Sequence, residues 1–169
     1  MKKFLFGFVL GLIAAPLALL AAVRFGWLSV AATPAPPDWE RRIAGGTVAR
    51  ALEASATGIA NPLRPTEETL RAGMKLYRQN CAGCHGASGR PSPWGSRGFY
   101  PRVPQFGVLP PALSEAAMSV AIRRGIRYSG MGAWDAGMLA DDDLWRVVAF
   151  LAHLRDLPPG VAAEWRGTR

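Results

Sequence analysis

Cys81-Ala82-Gly83-Cys84-His85 is followed directly by Gly86, and the chain contains no other cysteine. Two thiols separated by two residues, with histidine next, form the pattern of covalent c-type haem attachment. The chemistry explains the spacing. The thiols of Cys81 and Cys84 add to the two vinyl groups of one porphyrin, and the imidazole of His85 then lies under the iron as its proximal ligand. Other uses of these residues fit less well. A redox dithiol is expected in a βαβ setting, and no alternation of strands and helices is legible nearby. A structural zinc needs four ligands, and the only further Cys or His is the distant His153. One covalent haem c, with its iron, is the expected cofactor.

Working outward, Thr66 is a candidate N-cap, with Glu67 and Glu68 in the first turn of a helix. Leu70, Gly73, Met74 and Tyr77 recur at helical spacing as one buried stripe, Met74 being core. This helix ends just before Asn80-Cys81 and delivers the chain to the motif. Residues 86–112 are rich in Gly and Pro, a long loop that a porphyrin would give something to pack on. Trp94, Phe99, Tyr100 and Arg102 are candidates for the haem edge and propionates, or simply loop residues. Leu113 to Gly125 reads as a helix capped by Ser114, with Leu113, Ala117, Val120 and Ala121 on one side and Met118 in the packing. Arg123, Arg124 and Arg127 follow, either complementing the helix dipole or forming a docking patch for an acidic partner.

Gly130-Met131-Gly132-Ala133-Trp134 places a methionine between two glycines, so backbone can approach a flat ligand while the thioether points at it. Thioether sulfur suits the sixth position of a haem carrier and raises its potential. Met131 is therefore the expected distal ligand, with Met138 as runner-up. The last helix is expected to start with Asp141 as N-cap and to bury Leu144, Val147, Val148, Leu151 and Leu154, ending at Leu157-Pro158-Pro159-Gly160. His153 lies off that stripe as a surface residue, and residues 161–169 carry no signal.

At the amino terminus, Phe4 to Val23 are uncharged, flanked by Lys2, Lys3 and Arg24 and followed by Phe25 and Trp27. Twenty helical residues span about 30 Å, the hydrocarbon thickness of a bilayer, and aromatics favour its interface. An uncleaved anchor is expected, although Ser29-Val30-Ala31 would serve as a cleavage site. Gly7 and Gly11 offer a small-residue face for helix pairing. Thr33-Pro34-Ala35-Pro36-Pro37 reads as a stiff spacer. Asp38 to Ala56 can hold a short helix, broken at Gly45-Gly46, with further breaks at Gly58 and Asn61-Pro62. About thirty residues at roughly 3.3 Å each would reach on the order of 100 Å if extended; the other reading is a layer packed on the domain. The expected organisation is an anchor over 1–32, a linker over 33–65, a haem domain over 66–160 and a tail over 161–169.

The formal charge is +8, and without Lys2, Lys3 and Arg24 the rest carries 17 basic and 12 acidic residues. Two propionates reduce that part to about +3, a mildly basic surface suited to acidic partners rather than to nucleic acid.

Residues 66–157 resemble a class I (monohaem) cytochrome c domain. The resemblance is carried by the Gly73/Tyr77 helix, Cys81-Ala82-Gly83-Cys84-His85-Gly86, the Gly130–Trp134 loop and Val147-Val148-Ala149-Phe150-Leu151. It implies an all-α cytochrome c fold in which the first and last helices cross beside the haem, with Gly73 allowing close approach and Tyr77 and Phe150 packing there. With the anchor, the chain is similar to membrane-tethered bacterial cytochromes, single-pass, with the haem domain on the periplasmic side. Family members often orient the proximal histidine with a proline carbonyl soon after the motif; several prolines here are candidates.

Three functions follow as expectations. The first is a one-electron carrier between respiratory or photosynthetic complexes, with both axial positions filled and no catalysis of its own. The second is a fixed cytochrome subunit of a larger membrane dehydrogenase or oxidase. The third, an open-site haem enzyme or gas sensor, lacks a visible distal acid–base pair.

Overall fold

The computed structural model of the chain describes residues 1–167, and among these seven helices and no strands occur. In chain order they are α1 (Lys2–Arg24), α2 (Asp38–Ser55), α3 (Glu67–Asn80), α4 (Ala82–His85), α5 (Glu115–Arg124), α6 (Asp141–Ala152) and α7 (Pro159–Gly167). The chain divides into a unit over Met1–Ala31 and a second beginning at Ala32. The first is α1, which is long and apolar enough to cross a membrane and contains Pro16. No residue of α1 is buried by protein, as expected of a helix whose solvent is lipid.

In the second unit, α3 crosses α6. The Thr66 hydroxyl accepts from the Thr69 amide at 3.2 Å and starts α3. Leu70, Gly73, Met74 and Tyr77 are its buried stripe, facing Leu144, Val147, Val148, Phe150 and Leu151 of α6 in one core. Gly73 sets the closeness: a Cβ built there would lie 2.0 Å from the Arg146 carbonyl oxygen. The Tyr77 and Phe150 rings, both fully buried, meet 5.7 Å apart. Burying side chains of this size contributes about 1.5–3 kcal/mol each. Asp141, Asp142 and Asp143 all lie in the first turn of α6, where they complement the dipole. The N-cap is Ala140, without a side-chain cap, and not Asp141.

Two segments differ from expectation. The carboxy-terminal stretch forms α7, whose first residue is Pro159, a position where the missing N–H costs nothing. Its Val161 and Trp165 are buried, and the Trp165 ring meets Tyr77 at 5.7 Å and Phe150 at 5.1 Å. Glu164 pairs with Arg71 at 2.6 Å, fastening α7 to α3. The spacing of Val161 and Trp165 after Pro159 was a helical signal in plain sight.

The other is α2, which runs unbroken through Gly45-Gly46. Two interior glycines cost a helix about 2 kcal/mol, and packing on α5 offsets that. Leu52 and Ala56 form a second core with Ala117, Val120 and Ala121. The Glu53 carboxylate receives the Ser114 backbone N–H at 2.9 Å and its hydroxyl at 2.6 Å. The same hydroxyl accepts from the Ala117 amide at 3.1 Å, capping α5 as expected. Asn61, placed at an expected break, donates to Glu115 at 2.7 Å and the Trp145 carbonyl at 3.4 Å, so it joins α5 to α6. Residues 33–65 therefore pack as a layer on the helices they precede.

Candidate haem site

α3 passes almost without interruption into the short α4: the Cys81 amide donates to Tyr77 O at 2.8 Å and that of His85 to Cys81 O at 2.9 Å. One helical turn thus carries Cys81, Cys84 and His85 at i, i+3 and i+4, the spacing that puts side chains on one face. Both cysteines are free thiols, half-buried. Burial, followed by the neighbouring Cys84, pushes the Cys81 thiol up to about 12. A dithiol redox centre works by a lowered thiol pKa, so this environment argues against that use.

The turn is held from below. Gly86 leaves it with φ +80, where a Cβ would lie 2.6 Å from Arg90 O. The Tyr77 hydroxyl donates to the Gly86 carbonyl at 2.7 Å, tying the crossing of α3 and α6 to the turn. Gln105 donates to Cys84 O at 3.1 Å and accepts from the Ser92 amide at 2.6 Å, while the Ser92 hydroxyl donates to Gly83 O. Gly95 and Gly107 let the loop lie flush: a Cβ on either would come within 2 Å of Cys84 O or Ala87 O, at 1.8 and 1.9 Å. The Gly- and Pro-rich stretch is thus pinned at many points.

His85 Nδ1 is 2.9 Å from the Pro104 carbonyl. A proline carbonyl only accepts, so Nδ1 carries the proton and Nε2 keeps its lone pair. Burial, opposed by this hydrogen bond, lowers the pKa of His85 and favours the neutral ring. Phe106 stacks on the imidazole with centroids 4.5 Å apart and planes 3° from parallel. Pro104 is the carbonyl that the sequence left open among several.

Met131 lies in a separate, hydrogen-bonded loop after α5. Gly125 ends α5 with φ +67, and a Cβ there would meet Ala133 N at 2.7 Å and Met131 O at 2.8 Å. The Ile126 amide donates to Met131 O at 2.9 Å, and the Met131 amide donates to the Ser129 hydroxyl at 3.1 Å. Arg123 donates to Trp134 O and Leu139 O, both at 2.8 Å, and pairs with Asp141 at 2.6 Å. That arginine closes the methionine loop against the start of α6. Met131 is half-buried, whereas Met138 is 58% exposed. Gly130 rests against the Phe99 ring, where a Cβ would come to 2.4 Å, linking this loop to the one that holds the motif.

The candidates for the haem edge divide. Trp94 is exposed and edge-on to Phe99 at 4.6 Å. Tyr100 donates to Glu40 at 2.6 Å, and Arg102 donates only to backbone carbonyls. These last two are engaged elsewhere than at a propionate. His153 bonds its own helix at Ala149 O, 2.9 Å away.

The donor set fits a covalent haem: two free thiols on the face that carries a neutral, oriented imidazole. The family profile described as "Cytochrome C oxidase, cbb3-type, subunit III" matches residues 68–151, which run from the first turn of α3 to the last turn of α6. No curated protein matches the chain. No solved structure matches it either. The matched stretch contains the Cys81–His85 turn, the proline-held histidine, the methionine loop and the α3–α6 crossing, and residues 68–151 belong to the cytochrome c family, which implies a haem c electron carrier.

Proposed function

We propose that the chain carries one haem c, held by thioether bonds from Cys81 and Cys84 and by His85 and Met131 as axial ligands, and that it relays single electrons without catalysis of its own. When bound, the haem iron supplies the one-electron Fe(III)/Fe(II) exchange. What the residues contribute follows from their positions. Cys81 and Cys84 fix the macrocycle to a rigid turn, and the Pro104 carbonyl keeps the proton of His85 on Nδ1, leaving Nε2 for the metal. Phe106 stacks on that ring and helps hold its plane. Met131 would offer the iron a thioether sulfur, a donor that favours the reduced state. The observation that carries this reading is the His85–Pro104 hydrogen bond, which orients the neutral imidazole and keeps its proton on Nδ1, leaving the Nε2 lone pair for a metal.

The domain works on the periplasmic side of a bacterial inner membrane, tethered by α1, against partners with acidic docking surfaces. A fixed place within a larger oxidase is favoured by the description of the matching family. The test is a visible spectrum with redox titration on the wild type and on Met131→Ala. The wild type is expected to be low-spin with a His/Met signature. The variant is expected to turn high-spin, bind carbon monoxide and lose potential, while Met138→Ala stays as wild type. Matching spectra for wild type and Met131→Ala would place the sixth ligand elsewhere.

A further inference from the structure

Arg102 joins two stretches of chain far apart in sequence. Its Nη1 donates to the carbonyls of Ala32, Arg97 and Phe99, each at 2.7 Å. Its Nη2 donates to Thr33 O at 2.6 Å and Pro34 O at 2.9 Å. Arg97 and Phe99 belong to the loop that is flush with Cys84 and touches Gly130. Ala32, Thr33 and Pro34 are the first residues of the second unit. The two terminal nitrogens of the planar guanidinium carry four N–H groups, so one N–H on Nη1 is shared between two carbonyls; an ammonium offers three donors from one point.

The grip continues along the strap. Pro36 is buried, Tyr100 donates to Glu40, and Glu53 takes both donors of Ser114. Leu52 and Ala56 complete the seat on α5. Each stage from Ala32 to Ala56 is thus tied to the haem-carrying helices and loops.

We propose that Arg102 is a positioning residue that sets the length of the membrane tether and so confines electron exchange to partners embedded in the same membrane. The inference rests on the electron-carrier reading above. The amides of Phe25, Gly26 and Trp27 bond back into α1, so with the strap closed only residues 28–31 lie between that end and Ala32, and four residues span about 14 Å at most. With Arg102 released, the next hold is the buried Pro36, and the eight residues 28–35 span about 28 Å at most. A wholly free stretch up to Thr66 would span more than about 100 Å. A soluble acceptor needs no short tether, whereas an acceptor held at a fixed height above the bilayer is met most often by a donor held near that height.

The test uses the full, haem-loaded chain in lipid nanodiscs, spin-labelled at the exposed positions Trp27→Cys and Lys75→Cys. Dipolar distance measurement compares wild type, Arg102→Ala, Arg102→Lys and a chain with twenty Gly/Ser residues inserted between Ala31 and Ala32. The insert adds about 25 Å of root-mean-square reach and defines what a long tether looks like. The wild type is expected to show a narrow distribution. Both Arg102 variants are expected to broaden toward longer distances, by up to about 14 Å, the difference between the two spans. A wild type as broad as the insert overturns the proposal, and so does an Arg102→Ala distribution that overlays the wild type. The wild-type comparison stands even where Arg102→Ala folds poorly. The visible spectrum of each sample reports the axial ligands separately, so a failure of the haem reading is distinguishable from a failure of the strap.

Discussion

Gly73→Ala sets helix propensity against packing, and the structure says which wins. Propensity favours the change by about 1 kcal/mol, since alanine is the better helix former. The new Cβ, however, would lie 2.0 Å from the Arg146 carbonyl oxygen, 2.6 Å from its carbon and 2.9 Å from the Phe150 Cβ. Close C–H···O contacts settle at about 3.3 Å, so α3 and α6 must part by roughly an ångström. The atoms in the way are helix backbone and cannot swing aside. Parting opens the contact between Leu70 and Tyr77 on one helix and Val147 and Phe150 on the other. A gap of about 0.5–1 Å forfeits a quarter to a half of each dispersion well. Overpacking in a rigid core costs about 3 kcal/mol at the upper end of its usual range, and the propensity gain leaves a net loss of about 2 kcal/mol. The assay is thermal unfolding of the haem-loaded protein followed by far-UV circular dichroism. A drop in Tm on the order of 5 °C is expected. Gly45→Ala is the control, because a Cβ there meets nothing within 4 Å, and it should melt at or slightly above the wild type. A Gly73→Ala protein as stable as the wild type would refute the close crossing.

Two other expectations follow from packing and protonation. Trp165→Ala removes a ring that touches both Tyr77 and Phe150, and a loss of about 3–5 kcal/mol is expected in denaturant unfolding; an unchanged midpoint would mean α7 is not part of the core. The Glu53 carboxyl is held below its ordinary value by the Ser114 hydroxyl first and the Ser114 backbone N–H second. Its folded pKa therefore lies under the unfolded value, so its contribution is complete above about pH 4.3 and is lost as the pH falls through the folded value. An NMR titration of the Glu53 carboxyl should show a midpoint below that of a free glutamate, moving back up in Ser114→Ala.

That Cys81, Cys84 and His85 share one helical turn was legible because their spacing is local, and the haem-binding roles proposed for them rest on residue type and that spacing. The buried stripe of α3, the Ser114 cap and the α6 core were legible for the same reason, since period and cap chemistry act over a few residues. Met131 was legible as a candidate through its two flanking glycines, and its assignment as a ligand still rests on the spectrum of its alanine variant.

Other features depend on partners distant in the chain. Which proline orients His85 turns on how residues 86–107 fold back, and the Gly95 and Gly107 contacts with Cys84 and Ala87 select Pro104. That α2 runs through Gly45-Gly46 is decided by Leu52, Ala56 and Glu53 meeting α5, not by any propensity within the segment. In sequence Arg102 is either a candidate for the haem edge and propionates or simply a loop residue, and in the fold five carbonyls surround it. The sequence by itself determined the cofactor, the helical class and the membrane-compatible first helix, all of which follow from composition and short-range spacing. Only the tertiary structure decided how residues 32–56 are held, because that depends on hydrogen bonds and apolar contacts to residues far away in the chain.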